Sequence, residues 1–372
     1  MERKKKERTI QYKSGALFQG AVNTKGERHG FGVLEHPSYT YEGQFVLNQK
    51  HGRGKLTFSA GGDQYVGSFE HNQMQGHGTI AWRNGDTYQG EFVKGKVQGR
   101  GIKYFMDSGD RLEGTWKDGL CEGWAMKHFG CGHVFEGYYE RDDRHGYGMY
   151  AWSDGTVYRG EWLNGLQHGQ GTKVFCGRMG RYEGEWKNGQ AEGYGVRIFG
   201  NGDRHEGKYR ADERHGYGWY QWTNGDRFEG EWKDGCISGS GVKQLANGDI
   251  FEGEWAKDAA HGSGMKMFND GDVHIGEYQF DTRHGRGVYQ YANGDEFDGT
   301  WQDGRQSGSG IYRYASSGAA YEGKWQNGEM HGSGYYATSD QQVYLEVWEE
   351  GNRTLRRRLT DQQAQKRPRI EL

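Results

Sequence analysis

Histidine stands directly before a Gly-x-Gly triplet at His29, His51, His145, His168, His215, His261, His284 and His331. An imidazole can ligate a metal or carry a proton. A catalytic group, however, is a singleton with a singleton partner, whereas these histidines recur in equivalent places, so a role at turns or strand ends is expected. His261 and His284 would lie ~10 Å apart in a sheet, too far to share a metal unless a dimer interface converged them. Cys121 with His128, Cys131 and His133 forms a Cys/His cluster whose spacing suits zinc poorly, which favours an incidental thiol over a metal site. The cysteines Cys121, Cys131, Cys176 and Cys236 occupy non-equivalent positions, as free thiols in a reducing compartment would.

The glycine-rich run from Gly235 to Gly241 lacks the strand-to-helix context and the Lys-Ser or Lys-Thr of a phosphate loop. Gly239-Ser-Gly241 is likewise no nucleophile elbow. No enzyme activity, metal or cofactor is expected.

These residues are positioned by a repeat of 23 or 24 residues, anchored at Gly20, Gly43, Gly67, Gly90, Gly114, Gly137, Gly160, Gly184, Gly207, Gly230, Gly253, Gly276, Gly299 and Gly323. Each anchor sits in aromatic-x-Gly-x-aromatic, followed by a turn and a Gly-x-Gly. A fifteenth unit begins at Tyr344 and Trp348, but Glu346 takes its glycine position. The hydrophobic content of 33% and mean hydropathy of -1.07 suggest a chain too polar to fold. The 15% aromatic content overrules that, because the rings recur in register and each buries ~150–250 Å².

In Phe228-Glu-Gly-Glu-Trp232 the alternation has period two, marking a strand with one packed and one solvated face. Lys233-Asp-Gly235 carries a hairpin dipeptide, and Gly239 to Gly241 brings glycines back across from the rings. A ring over a cross-strand glycine fills space that a Cβ would block. Asn247-Gly248 then turns the chain toward Phe251. The predicted fold is all-β: an elongated single-layer antiparallel meander of roughly 29 stacked strands at ~4.8 Å each, a twisted rod ~140 Å long. The structural repeat aromatics include Trp162, Trp186, Trp232, Trp255, Trp301 and Trp325. Proline occurs only at Pro37, in a turn, and Pro368, in the tail, so no interior ladder bond is lost. The predicted organisation is a basic extension over 1–14, a continuous array over 15–350 with its degenerate unit at 344–350, and a basic cap over 351–372.

Units such as Tyr182-Glu-Gly-Glu-Trp-Lys-Asn-Gly189 with Gly193-Tyr-Gly195, and Tyr321-Glu-Gly-Lys-Trp-Gln-Asn-Gly328 with His331-Gly-Ser-Gly334, resemble the MORN (membrane occupation and recognition nexus) repeat. Departures are Val22, Leu112, Ala125, His205 and His274 at expected ring or glycine positions, each predicted to weaken local packing. MORN arrays occur on lipid kinases and methyltransferases, in membrane-joining proteins and as stand-alone cytoskeletal scaffolds. A long array without a second domain looks most like the scaffolds of basal-body-associated, daughter-bud or axonemal structures. The resemblance thus implies cytoskeletal partners, tubulin-based structures among them, and an antiparallel homodimer through the C-terminal repeats. It also implies localisation to the cytoskeleton of a cilium, flagellum or basal-body region. The alternative it offers is a phosphoinositide or anionic-membrane tether.

Inside the array lies a longer period. Arg144-His145, Arg214-His215 and Arg283-His284 align, and the anchors Gly67, Gly137, Gly207 and Gly276 fall 70, 70 and 69 residues apart. Duplication and a recurring packing need account for this; a periodic docking row for a repeating partner or anionic surface is the sharper reading. Residues 1–8 carry net +3 and residues 353–372 net +5, which leaves -11 on the body of a chain of total charge -3. An acidic body is no nucleic-acid platform. The basic ends, Lys4, Lys5, Lys6 and Arg356, Arg357, Arg358, are candidates for an anionic surface, a tubulin tail or lipid. Leu355 and Leu359 bracket the arginines at helical spacing, predicting a short basic helix, with a solvated tail as the alternative. The first residues lack the apolar stretch of a signal peptide, and a soluble intracellular protein is expected. Small-angle scattering should return the extended profile of a rod; a globular radius for 42.4 kDa would overturn the predicted architecture.

Overall fold

The period-two alternation of rings and charges becomes strands throughout. The computed structural model describes residues 6–364 and divides into two compact units, one ending at Gln190 and the other beginning at Ala191. In the first, strands run from Lys6–Gln11 to Gly180–Lys187; in the second, from Gln190–Phe199 to Asn352–Arg358. Within each unit every strand pairs antiparallel with the next, as in Leu17–Val22 with Arg28–His36 and Arg227–Lys233 with Cys236–Gln244. Each unit is therefore an open meander of hairpins. The described residues hold 31 strands, two more than the repeat count gives, because an edge strand is added at either end.

One hairpin explains the rest. Phe228 is fully buried, and its ring lies over Gly230 and Gly241, which face each other across the ladder. A Cβ on Gly241 would come within 2.4 Å of Phe228 Cζ, and one on Gly230 within 2.5 Å of the Gly241 Cα. The register slips between Gly230 and Trp232, where the returning strand carries two residues more than its partner, while unbroken alternation keeps Trp232 on the same face as Phe228. Those two rings meet edge to face at 5.4 Å, and Phe228 meets Trp255 of the next hairpin at 5.6 Å. The ring stack thus runs across the hairpins, and it is the core.

The two turns differ. Asp234 (φ 48°) and Gly235 (φ 82°) both take left-handed backbone, as a two-residue type I′ hairpin requires. At Asn247-Gly248 the Gly248 N–H bonds the Leu245 carbonyl at 3.0 Å and the Leu245 N–H bonds the Asp249 carbonyl at 2.8 Å. Only the glycine there is left-handed, at φ 99°, so this is a three-residue loop closed by a bulge rather than a type I′ turn.

The C-terminal helix predicted around Arg356 is corrected. Asn352–Arg358 is a strand paired with Val343–Glu349. Glu350 (φ 47°) and Gly351 (φ 75°) reproduce the Asp234-Gly235 turn, and a strand ending at Trp348 needs a partner for its backbone groups. A four-residue helix, Asp361–Ala364, follows. At the other end Lys6–Gln11 lies within the predicted basic extension and forms an exposed edge strand against Leu17–Val22. Its charges suit an edge that must not recruit other strands.

Gly241→Ala should therefore cost about 2 kcal/mol or more, as forced overpacking does. Gly235→Ala, with nothing within 4 Å of its Cβ, should cost only its left-handed strain, about 1 kcal/mol. Equal losses in urea denaturation would show that the ring-over-glycine contact does not govern stability.

Candidate functional site: interaction surfaces of the array

The six named tryptophans are all buried, and each indole N–H donates to a glycine carbonyl of the preceding hairpin. The distances run from 3.0 Å for Trp186 to Gly171, through 3.1 Å for Trp255 to Gly241, to 3.4 Å for Trp232 to Gly218. Trp162, Trp301 and Trp325 make the same bond to Gly148, Gly287 and Gly310. They hold hairpin to hairpin.

The Arg-His series has a shared geometry. The Arg144, Arg214 and Arg283 guanidiniums lie 4.5, 4.2 and 4.5 Å from the ring centres of Trp162, Trp232 and Trp301. Each also faces a tyrosine, Tyr150, Tyr220 or Tyr289, at about 5 Å. Each donates to the carbonyl of the next turn glycine, Gly165, Gly235 or Gly304, at 2.7, 2.6 and 2.9 Å. The longer period thus has a packing content: one arginine clamps two rings and a turn in every third hairpin. Of the paired histidines, His145 lies 3.4 Å from Glu140 and His215 3.7 Å from Asp234.

His205 and His274 replace rings of the core and are fully buried. Each sits where Phe228 sits in its own hairpin, with its Nε2 buried and without a hydrogen-bond partner. Its Nδ1 meets the hydroxyl of Tyr209 or Tyr278 at 2.9 and 2.7 Å, and its ring packs edge to face on Trp232 or Trp301. Burial, then the charge of Arg214, pulls the His205 pKa down to about 3. Burial, then Arg283, takes His274 to about 4. Leu112 and Ala125 are a matched exchange: Gly114 pairs with Ala125, and the shorter Leu112 leaves room for its methyl.

The Cys/His cluster is dispersed. Cys121 is buried in a strand, with its thiol pushed up to about 12 by burial, whereas Cys131 is exposed in a turn and His133 Nδ1 meets the Tyr150 hydroxyl at 2.8 Å. All four cysteines are unpaired. Among the described residues no group of three or more His, Cys, Asp and Glu converges as metal ligands would. Ser240 is an ordinary strand residue of Cys236–Gln244.

Of the basic ends, Lys4 and Lys5 lie outside the described residues, while Lys6 is exposed on its edge strand. Arg357 and Arg358 are exposed, and so is Arg356, but its guanidinium is engaged. It stacks at 4.1 Å on Tyr344 and, with Arg353, flanks the fully buried Glu346 at 3.5 and 3.1 Å. The glycine lost from the fifteenth unit is thus a buried carboxylate that fastens the terminal strand.

Sequence reasoning missed the turn aspartates. The carboxylates of Asp86, Asp226, Asp249, Asp272 and Asp295 each accept the backbone N–H twenty residues on, that of Met106, Ala246, Asn269, Ala292 and Ala315. On the opposite margin Asp258 and Asp281 accept from Ile237 and Ala260. The recurrence of Gly-Asp in the inter-repeat turns was the available signal.

With its rings turned inward, the sheet face opposite them is left for contact. In the first unit this face forms an open groove of about 1440 Å³, with Phe31, Arg53, Lys55, Arg100, Trp124 and Met126 among its lining. Open hairpin meanders with an internal ring stack and a free outer face define a repeat protein of the interaction and scaffold kind. The MORN repeat model matches fourteen segments, from 24–40 and 41–63 through 228–250 and 251–273 to 321–343, and together these cover well over half of the sequence. The chain belongs to the MORN-repeat family. Among solved structures, the wild-type TCP10 domain of Danio rerio CPAP matches at 10% identity over 73% of this chain and 94% of that chain, with TM-score 0.24. The SAS-4 (dCPAP) TCP domain of Drosophila melanogaster, in complex with a proline-rich motif of Ana2 (dSTIL), matches at 11% over 61% of this chain and 85% of that chain, with TM-score 0.17. Likeness at that level carries no inference about function.

An unfolded histidine titrates near 6.5, so between that pH and about 3 to 4 the unfolded chain binds protons that folded His205 and His274 refuse. Their contribution is complete above about 6.5 and is lost as pH falls. Urea denaturation between pH 7 and 4 should show this decline, and the double variant His205→Phe, His274→Phe should flatten it. A variant with an undiminished slope would assign the acid sensitivity to other groups.

Proposed function

We propose that this protein is a non-enzymatic cytoskeletal scaffold, an extended platform for protein–protein contacts in a basal-body-associated, axonemal or related structure. The observation that carries the reading is a division of labour that recurs across the hairpins. Rings, indole N–H groups and turn aspartates are spent on the neighbouring hairpin, and the opposite face presents side chains at a fixed interval. A surface with translational regularity suits partners that are themselves regular arrays. The partners proposed are cytoskeletal, tubulin-based structures among them, and the protein is proposed to act as an antiparallel homodimer through its C-terminal repeats.

The membrane-tether reading draws on the exposed Lys6, Arg357 and Arg358. Against it stand the acidic body and the engagement of Arg356 with Glu346. Extraction of cells carrying the tagged full chain separates the two. A scaffold stays with the detergent-insoluble cytoskeleton, whereas release by detergent together with membrane markers would replace this reading by the tether.

A further inference from the structure

In the second unit one level of the outer face carries acidic and aliphatic residues in alternation. At one level of the ladder Glu229 pairs with Val242, Val242 with Glu252, Glu252 with Met265, and Met265 with Ile275; Asp298 stands two strands further on. Glu229, Glu252 and Asp298 are exposed, as are Val242 at 38% and Ile275 at 48%. From Glu229 to Leu345 no lysine or arginine occupies that level; Arg357 takes it on the last strand. The first unit mixes signs there, with Lys55 opposite Glu42 and Arg159 opposite Thr172.

The chain itself supplies an example of what settles on this face. Beyond the arginines of Asn352–Arg358, Leu359 and Ala364 pack on Ala320, Ala337 and Val343, with Ile311 and Tyr335 beside them. Ile311 is the cross-strand partner of Asp298, so this contact continues the same ladder. Two aliphatic side chains that follow a basic strand, Leu359 and Ala364, therefore already settle beside its last rungs.

We propose that the ladder from Glu229 to Asp298 docks a basic segment of a partner protein, extended along the direction in which the strands stack. Carboxylates two strands apart are ~9.6 Å apart, close to the ~9.3 Å per turn of a polyproline II segment, whose three residues per turn return every third side chain to the same face. A lysine or arginine at every third position of such a segment would meet Glu229 and Glu252 in turn, with an intervening aliphatic side chain flanking Val242. Further along, Ile275 replaces a carboxylate, which leaves one apolar place between Glu252 and Asp298. Partner potentials of opposite sign set the direction of encounter and exclude acidic segments. This assignment rests on the interaction-platform reading and gives the partner its chemistry.

The test is fluorescence anisotropy of the full chain with a labelled peptide of repeating Lys-Leu-Thr units. Binding should weaken as salt rises. The triple variant Glu229→Gln, Glu252→Gln, Asp298→Asn should lose about tenfold or more in affinity, and Ile275→Ser should weaken it further, with near-ultraviolet circular dichroism unchanged. The first-unit variant Glu42→Gln, Glu113→Gln, Glu136→Gln should bind within about twofold of the unaltered chain. Absence of binding, equal loss in both triple variants, or equal affinity for a Glu-Leu-Thr peptide would overturn the assignment. Detergent release in cells would instead overturn the cytoskeletal reading and leave this titration standing.

Discussion

An aromatic ring lying over two facing glycines is the contact on which everything else in this protein depends. Phe228 over Gly230 and Gly241 fills the space where two Cβ atoms would stand, and it is the closeness of that approach that excludes any larger residue. Alternation then puts Trp232 on the ring face as well, and the indole of the next hairpin reaches back to the carbonyl of Gly241. Each hairpin supplies a ring and receives one, so no hairpin has a core of its own.

The exceptions show what the constraint is. Leu112 with Ala125 conserves the summed volume rather than the residue types, and His205 conserves a flat ring while adding a polar atom that Tyr209 satisfies on one side. Glu346 breaks the rule outright, and the unit containing it is where the regular pattern stops: its carboxylate holds Arg353 and Arg356 of the terminal strand. Because the aromatics and the turn aspartates are committed to neighbouring hairpins, selectivity is left to the face opposite the rings. At the level that runs from Glu229 to Asp298 the two units differ, the first mixing charges and the second acidic and aliphatic.

Most of the fold was legible in the residues. Phe228, Gly230, Trp232 and Gly241 announced strand, face and partner, since period two and a fixed turn leave a single register. The helix expected at Arg356 failed because helical spacing of Leu355 and Leu359 was weighed without the Glu350-Gly351 turn before it, which closes a hairpin. Arg144, Arg214 and Arg283 were legible as a series, but not their stacking on Trp162, Trp232 and Trp301. Stacking depends on which strand lies alongside, a long-range fact.

The candidate surface was hidden for a related reason. Glu229, Val242 and Glu252 are separated by turns in the sequence and carry no local pattern of their own. They become one ladder only when the register places each opposite the next.

The sequence by itself determined the hairpin, its period and the identity of the family, because these rest on local rules: alternation, turn chemistry and the absence of Cβ where a ring must sit. Only the tertiary structure decided that Glu346 ends buried between arginines, that the turn aspartates stitch one hairpin to the next, and that one level of the second unit's outer face is acidic and aliphatic. Those outcomes depend on which residues are brought opposite one another across the sheet, and that is set by pairing, not by order along the chain.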